Sequence, residues 1–345
     1  MHEKTDLSIK IINFLKETKR HGTLNSYRFL FPIMSKIVLR TKNPVYSYQF
    51  TKLTGCDIKK HEQIILNSQN NSYSYLFARD IKKADVTALG KIVAAKGSVW
   101  DNYLFARAVE GAKPKIHGKV IIEKGTAEDN YRYAKEIKGA DIKEHEKAIL
   151  KMKNAECSYN FAKEIAGADI KAHEQVVLES GSVLYNHFFA RDIKNADVKA
   201  HGNIVIQNGN ASDNYQFAKD VKGSDIKSHG NVVINKGDAY FNYVFARDIK
   251  GADIKANKRA TLSKIDEVAS ENLKRQIIEF FDNIKESEIE TKEEAITAIE
   301  SKNALLEKIR KLEEKAAQID DNLNKYLQNH TEEIYEIKVK KLERK

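Results

Sequence analysis

Among 345 residues there are only two cysteines, three prolines and one tryptophan. No stretch approaches the roughly 18 apolar residues that a membrane-crossing helix needs. Cys56 and Cys157 are too few for a disulfide framework and have no zinc-type spacing, which points to a reducing, cytoplasmic setting. The run MHEKTDLSIKIINFL carries acids where a secretory signal wants bare positive charge. A Gly-rich phosphate loop and a nucleophile elbow are both missing. His145-Glu146 and His173-Glu174 begin like a zinc-protease helix, but Ile149 and Val177 stand where the second ligand is required. These absences argue against an enzyme, and no catalytic residue, cofactor or metal is expected.

What the chain does have is a period. An aromatic residue returns at Phe50, Phe77, Phe105, Tyr133, Phe161, Phe189, Phe217 and Phe245, after one step of 27 residues and then always 28. A repeat of this size is too small to bury its apolar face alone and does so against its neighbours. The expected fold is therefore all-α, an αα-repeat solenoid of eight units over residues 45–263. Function belongs to surfaces rather than to one pocket.

Each unit reads as two short helices, here called A and B. On a wheel of about 100° per residue with Phe105 at zero, Val109, Asn102 and Ala106 fall within about 100° and form a buried stripe. Tyr103 and Arg107 fall on the far side, as neighbours four apart. Helix B opens at Asp57, Asp85, Asp141, Asp169, Asp197, Asp225 and Asp253, each placed to cap free backbone amides. Lys113 replaces that Asp in the third unit, and Pro114 follows at the first helical position. Gly97, Gly125, Gly181, Gly209 and Gly237 are expected to end helix B with positive φ.

Residues 1–44 read as an amino-terminal helical cap with a polar outer face, because Ile37-Val38-Leu39 precedes Ile64-Ile65-Leu66 by 27 positions. Residues 264–345 read as closing helices. From Lys264 to about Glu286 an amphipathic helix is expected to seal the last repeat, and Thr291 with Glu294 suggests a capping box. Leu305, Ile309, Leu312, Ala316, Ile319, Leu323 and Tyr326 then alternate at 4 and 3, a heptad seam over 305–326. It pairs either two chains, as a homodimer, or folds back on residues 264–286.

Charge is uneven: residues 264–345 hold 16 Lys and Arg against 20 Asp and Glu, so a whole-chain +10 leaves +14 on residues 1–263. Lys59, Lys115, Lys143, Lys171, Lys199, Lys227 and Lys255 share one position in the first turn of helix B, where they oppose the helix dipole. They form a candidate basic stripe for an anionic partner. A second candidate is the pair on helix A: Tyr75 with Arg79, Tyr103 with Arg107, Tyr243 with Arg247, and in the sixth unit His187 with Arg191. Such pairs could line a single-stranded nucleic-acid groove. Alternatively the Tyr packs between repeats while the base pairs with an acid of the next unit. His61, His117, His145, His173, His201 and His229 lie in the apolar stripe, placed to bond the Asn/Ser ladder that includes Asn102, Asn130 and Ser158.

The string Phe245-Ala246-Arg247-Asp248-Ile249-Lys250-Gly251-Ala252-Asp253-Ile254-Lys255 resembles short helical repeats of bacterial and phage proteins. The resemblance covers about residues 45–255 and implies an α-solenoid similar to the HEAT and tetratricopeptide classes, without either consensus. It brings no ligand residues. The expected function is a non-enzymatic scaffold recognising a protein partner. The alternative is a nucleic-acid-binding solenoid that contacts phosphates through its Lys ladder.

Overall fold

The computed structural model describes residues 2–284 and 292–329, all of whose regular structure is helical. They form two compact units, Met1–His229 and Gly230–Lys345. In the first, helices A and B of each repeat pack together, A helices pack on the A helices of adjacent repeats, and B on B. This two-layered stack is an αα-repeat solenoid.

Helix A starts under a side-chain cap in every repeat. Asn43, Asn70, Ser98, Thr126, Asn154, Ser182, Asn210 and Asp238 each accept a backbone N–H of the first turn. Ser98 with Asp101, Thr126 with Asp129 and Asn210 with Asp213 are full capping boxes. The aromatic period is the core: each of the seven phenylalanines and Tyr133 is fully buried, as are Ile65, Val93, Ile149, Val177 and Val205 on helix B. Each contributes roughly 1.5–3 kcal/mol by burial.

Between the helices the chain turns through a left-handed residue. Gly111, Gly139, Gly167, Gly223 and Gly251 have φ from +77° to +88°, with Lys83 and Asn195 in the same role. Positive φ is therefore the rule at the A–B turn, whereas only some B helices end in it, at Gln69, Lys153 and Gly181. Gly97, Gly125 and Gly209 have φ near −80°, and only Gly181, at +64°, behaves as anticipated. The reason for glycine there is steric, because a Cβ would lie 2.5–2.6 Å from the carbonyl oxygens of Val93, Ile121 and Val205.

The Asp caps of helix B hold at Asp85, Asp169, Asp197, Asp225 and Asp253. Asp141 makes no side-chain cap bond. Asp57, in the one repeat with a shorter turn, sits at φ +50° and accepts the Ser35 hydroxyl instead. Pro114 occupies the first turn of its helix, as the sequence suggests.

The amino-terminal cap comprises helices His2–Arg20 and Phe31–Leu39, with a 3-10 turn between them. Its outer surface is not purely polar: Phe29 is 75% and Ile33 61% exposed. In the second unit the expected helix over 264–286 is broken. A short turn, Ile265–Glu267, precedes a helix Glu271–Asp282 capped by Ser270. Phe280 and Phe281 meet Tyr243 of the eighth repeat edge-on. Helix Lys292–Asn329 follows, and Thr291 lies outside the described residues.

Candidate binding surface

The candidate residues gather on the rim formed by the A–B turns. On helix A the tyrosines pack between repeats, the arrangement the sequence offered against a nucleic-acid groove: Tyr48, Tyr103, Tyr131, Tyr159 and Tyr215 are 5–8% exposed. A single-helix wheel places them outside, but each A helix is flanked by two others, and its sides are buried as well as its inner face. Their hydroxyls reach the next repeat, where Tyr48 donates to Asp80, Tyr103 to Glu136, Tyr131 to Glu164 and Tyr159 to Asp192.

The basic partner joins the same carboxylate. Lys52 pairs with Asp80 at 2.6 Å, Arg107 with Glu136 at 3.5 Å and Lys163 with Asp192 at 2.8 Å, while Lys135 pairs with Glu164. Each cation also lies over its own Tyr ring, at 5.0–5.7 Å from the centroid. Arg79, Arg191 and Arg247 instead bind the Asp that follows them, at 2.6–2.7 Å. Burial, then the bonded carboxylate, pushes the Tyr48, Tyr103, Tyr131 and Tyr159 hydroxyls up. The guanidiniums of Arg79 and Arg191 hold Asp80 and Asp192 well below the usual carboxylate range. The Tyr and basic ladder is thus a polar seam between repeats. Buried tyrosines cannot stack on bases.

The Lys stripe on helix B divides in two. Lys59, Lys143 and Lys171 each bond a carboxylate three residues on, Glu62, Glu146 or Glu174, at 2.7–2.9 Å. Those glutamates are 3–4% exposed. Their second oxygens accept the backbone N–H of Asp85, Asp169 and Asp197 in the next repeat. A buried carboxylate would be costly unpaired, so here lysine serves the fold. The signal was present in the sequence as Lys-x-x-Glu, and these three glutamates are the residues that the sequence reading missed.

Lys115 lies 3.5 Å from Asp141, and Lys255 is half-buried. Lys199 and Lys227 are exposed, with Gly202 and Gly230 at the position of the missing glutamate, and they form no ion pair among the described residues. Lys82, Lys138, Lys194 and Lys222, in the adjoining turns, are likewise exposed and without a carboxylate among those residues. On the sixth and seventh repeats the turn lysine and the helix lysine are both exposed without a carboxylate among the described residues, Lys194 with Lys199 and Lys222 with Lys227.

The six ladder histidines, His61, His117, His145, His173, His201 and His229, are fully buried core groups. His117, His145, His201 and His229 contact the Oδ1 of Asn102, Asn130, Asn186 and Asn214 through Nδ1 at 2.7–2.8 Å. The amide nitrogens of Asn102, Asn130, Asn186 and Asn214 are given to carbonyls, so the oxygen accepts and Nδ1 carries the proton. His61 and His173 are the exceptions, because serine (Ser47, Ser158) replaces the Asn and does not bond them; His61 Nε2 meets the Ser35 hydroxyl at 3.2 Å, and His173 Nε2 lies 3.5 Å from Glu146. Among the described residues no three His, Cys, Asp or Glu are grouped to hold a metal. Cys56 and Cys157 are free, and burial pushes the Cys157 thiol up to about 12. No described helix is long and apolar enough to cross a membrane.

Comparison of the chain with family models, with curated proteins and with solved structures finds no match.

Proposed function

We propose that this chain is a non-enzymatic scaffold that docks a protein partner of acidic surface along the rim of A–B turns. The observation that carries this reading is the set of exposed lysines without a carboxylate: Lys194, Lys199, Lys222 and Lys227 on two successive repeats. A partner's carboxylates would neutralise them and steer its approach. Nucleic acid is the less favoured occupant, because phosphate contacts remain open to these lysines while aromatic stacking does not.

The test uses poly-L-glutamate and an unrelated single-stranded DNA as probes at two salt concentrations. Poly-L-glutamate is expected to bind, and Lys194, Lys199, Lys222 and Lys227 all changed to Glu should abolish it. Binding of DNA in preference, with a salt slope that falls by roughly 0.7 per lysine removed, would instead support the phosphate reading. Retention of neither probe at the lower salt sinks both.

A second occupant, another copy of this chain, is favoured by the long helix. Leu305 is buried and Ile309 half-buried; Lys308 pairs with Asp266 of the preceding turn and Glu313 with Arg275 of helix Glu271–Asp282, each at 2.6 Å. At about 18 Å that helix is too short to follow a helix of about 57 Å. Leu312 and Ile319 continue the heptad seam and are 41% and 65% exposed. The side chains of Leu323 and Tyr326 lie outside the described residues. We read the uncovered stretch as a pairing surface for a second chain.

A further inference from the structure

The carboxylate ladder has one gap. From the second repeat to the eighth, an acid follows the basic residue of helix A except in the third, where Ala108 stands in its place. In the first repeat Leu53 occupies it, and no full repeat precedes that one. Ala108 is exposed, so nothing covers the position. The donors that should converge there are Tyr75 and Arg79 of the second repeat.

Of the two, Tyr75 is left without an acceptor, and Arg79, already paired with Asp80, has Nη1 free of a carboxylate. Arg79 gives Nε and Nη2 to Asp80 at 2.6 and 3.2 Å and turns Nη1 toward the Tyr75 hydroxyl at 3.4 Å. The Tyr75 O–H has no acceptor among the described residues, and its ring is less buried than those of the paired tyrosines. Glu110, two residues beyond Ala108, is exposed and forms no ion pair there either.

An apolar contact lies on the same helix face. Trp100, the only tryptophan of the chain, is 53% exposed and stacks on Tyr103 at 5.1 Å and 25°. Arg107 caps the far side of the run, over the Tyr103 ring at 5.7 Å. An exposed aromatic beside arginine is the composition of an interface hot spot. Trp100 and Ala108 are eight residues apart on one helix, about 12 Å, which about four residues of extended chain span.

We propose that this gap is a docking site for an acidic protein segment: a carboxylate enters beside Ala108 to take the Tyr75 and Arg79 donors, and an apolar side chain about four residues away covers Trp100. The site rests on the reading of the chain as a scaffold for acidic partners and gives that reading a specific anchor on the second and third repeats, apart from the lysine rim of the sixth and seventh.

Trp100 reports on this site alone, because no other tryptophan contributes emission. The probes are blocked ten-residue peptides carrying one Glu four positions from one Leu, with a Gln-for-Glu control, titrated into the full chain to about 1 mM, the range for a contact of this size. The Glu peptide is expected to shift Trp100 emission saturably. Ala108→Glu, which supplies the missing acid within the chain, should weaken that response at least about tenfold, as should Arg79→Gln, while Ala108→Gln retains it. Ala108→Glu should also melt higher than Ala108→Gln, a readout that needs no peptide. A silent Trp100, an equal response to the Gln peptide, or a response indifferent to Ala108→Glu overturns the proposal. If poly-L-glutamate still binds through the lysine rim under those outcomes, the scaffold reading stands and only this anchor falls.

Discussion

His117 donates its Nδ1 proton to Asn102 Oδ1 at 2.8 Å, joining helix B of the third repeat to its own helix A. The same bond in other repeats makes a column of imidazoles that are neutral when folded. Burial holds His61, His117, His145 and His229 down at about 4.

Stability should therefore depend on pH in a defined window. In the unfolded chain these imidazoles take protons near 6.5, but in the folded chain only near 4, so the unfolded state binds more protons between those values. Their contribution is complete above pH 6.5 and is lost as pH falls toward 4, on the order of 3 kcal/mol for each. Circular-dichroism melting at pH 7.5, 5.5 and 4.5 should give a steadily falling Tm. Equal Tm at 7.5 and 4.5 would contradict a buried neutral ladder.

Glycines at two positions should fail differently. A Cβ on Gly118 would lie 3.0 Å from His145 Nε2 and 3.2 Å from the Tyr133 ring, so Gly118→Ala should cost about 1–3 kcal/mol by overpacking. Gly111 has open space around it but φ of +79°, and Gly111→Ala should cost about 1 kcal/mol through the backbone. Asn discriminates the two, since Asn195 already adopts this conformation at φ +63°. Gly111→Asn should recover most of the stability in chemical denaturation, and Gly118→Asn none.

The seam between repeats should show up as coupling. A double-mutant cycle of Tyr131→Phe with Glu164→Gln is expected to give about 0.5–3 kcal/mol of interaction energy. Tyr75→Phe, whose hydroxyl has no acceptor, should be close to neutral. Coupling near zero for the first pair would reduce the seam to a surface decoration.

Self-association can be checked on the long helix. Leu312→Asp with Ile319→Asp should convert a dimer to a monomer in light scattering without loss of repeat helicity. A monomeric parent protein at tens of micromolar, an affinity range suited to short coiled coils, would leave the seam with no pairing role.

The period, the Phe105-type core and the His–Asn pairing could all be read from residues, because one repeated environment prints the same residue type at the same spacing eight times. A wheel alone sets Tyr103 opposite the buried stripe, because it treats a helix as having one neighbour; its burial follows from stacking the repeats, which the acid after each basic residue already suggested. Lys59, Lys143 and Lys171 looked equivalent to Lys199, and only the buried position of Glu62, Glu146 and Glu174 separates structural lysines from free ones. Gly97 was expected to end helix B with positive φ, but its φ is −79°, and the steric closeness to the Val93 carbonyl that excludes a side chain leaves no trace in composition. The helix A caps, Asn70 or Ser98 for example, were visible as a column of small polar residues seven before each aromatic and were overlooked.

The Tyr and acid seam also has a direction. Within the first unit each repeat supplies donors to the junction ahead of it and an acceptor to the junction behind, as Tyr131 does toward Glu164 and Glu136 does for Tyr103. Repeats built this way are interchangeable parts with unlike ends, and their order can be permuted without redesigning either end. An exception travels with its module: wherever the third repeat is moved, the joint behind it lacks an acceptor. Wherever the sixth is moved, the joint ahead of it has His187 in place of a donating tyrosine. Limited proteolysis of shuffled arrays should locate the weakest joint by the position of the third repeat rather than by its distance from either terminus.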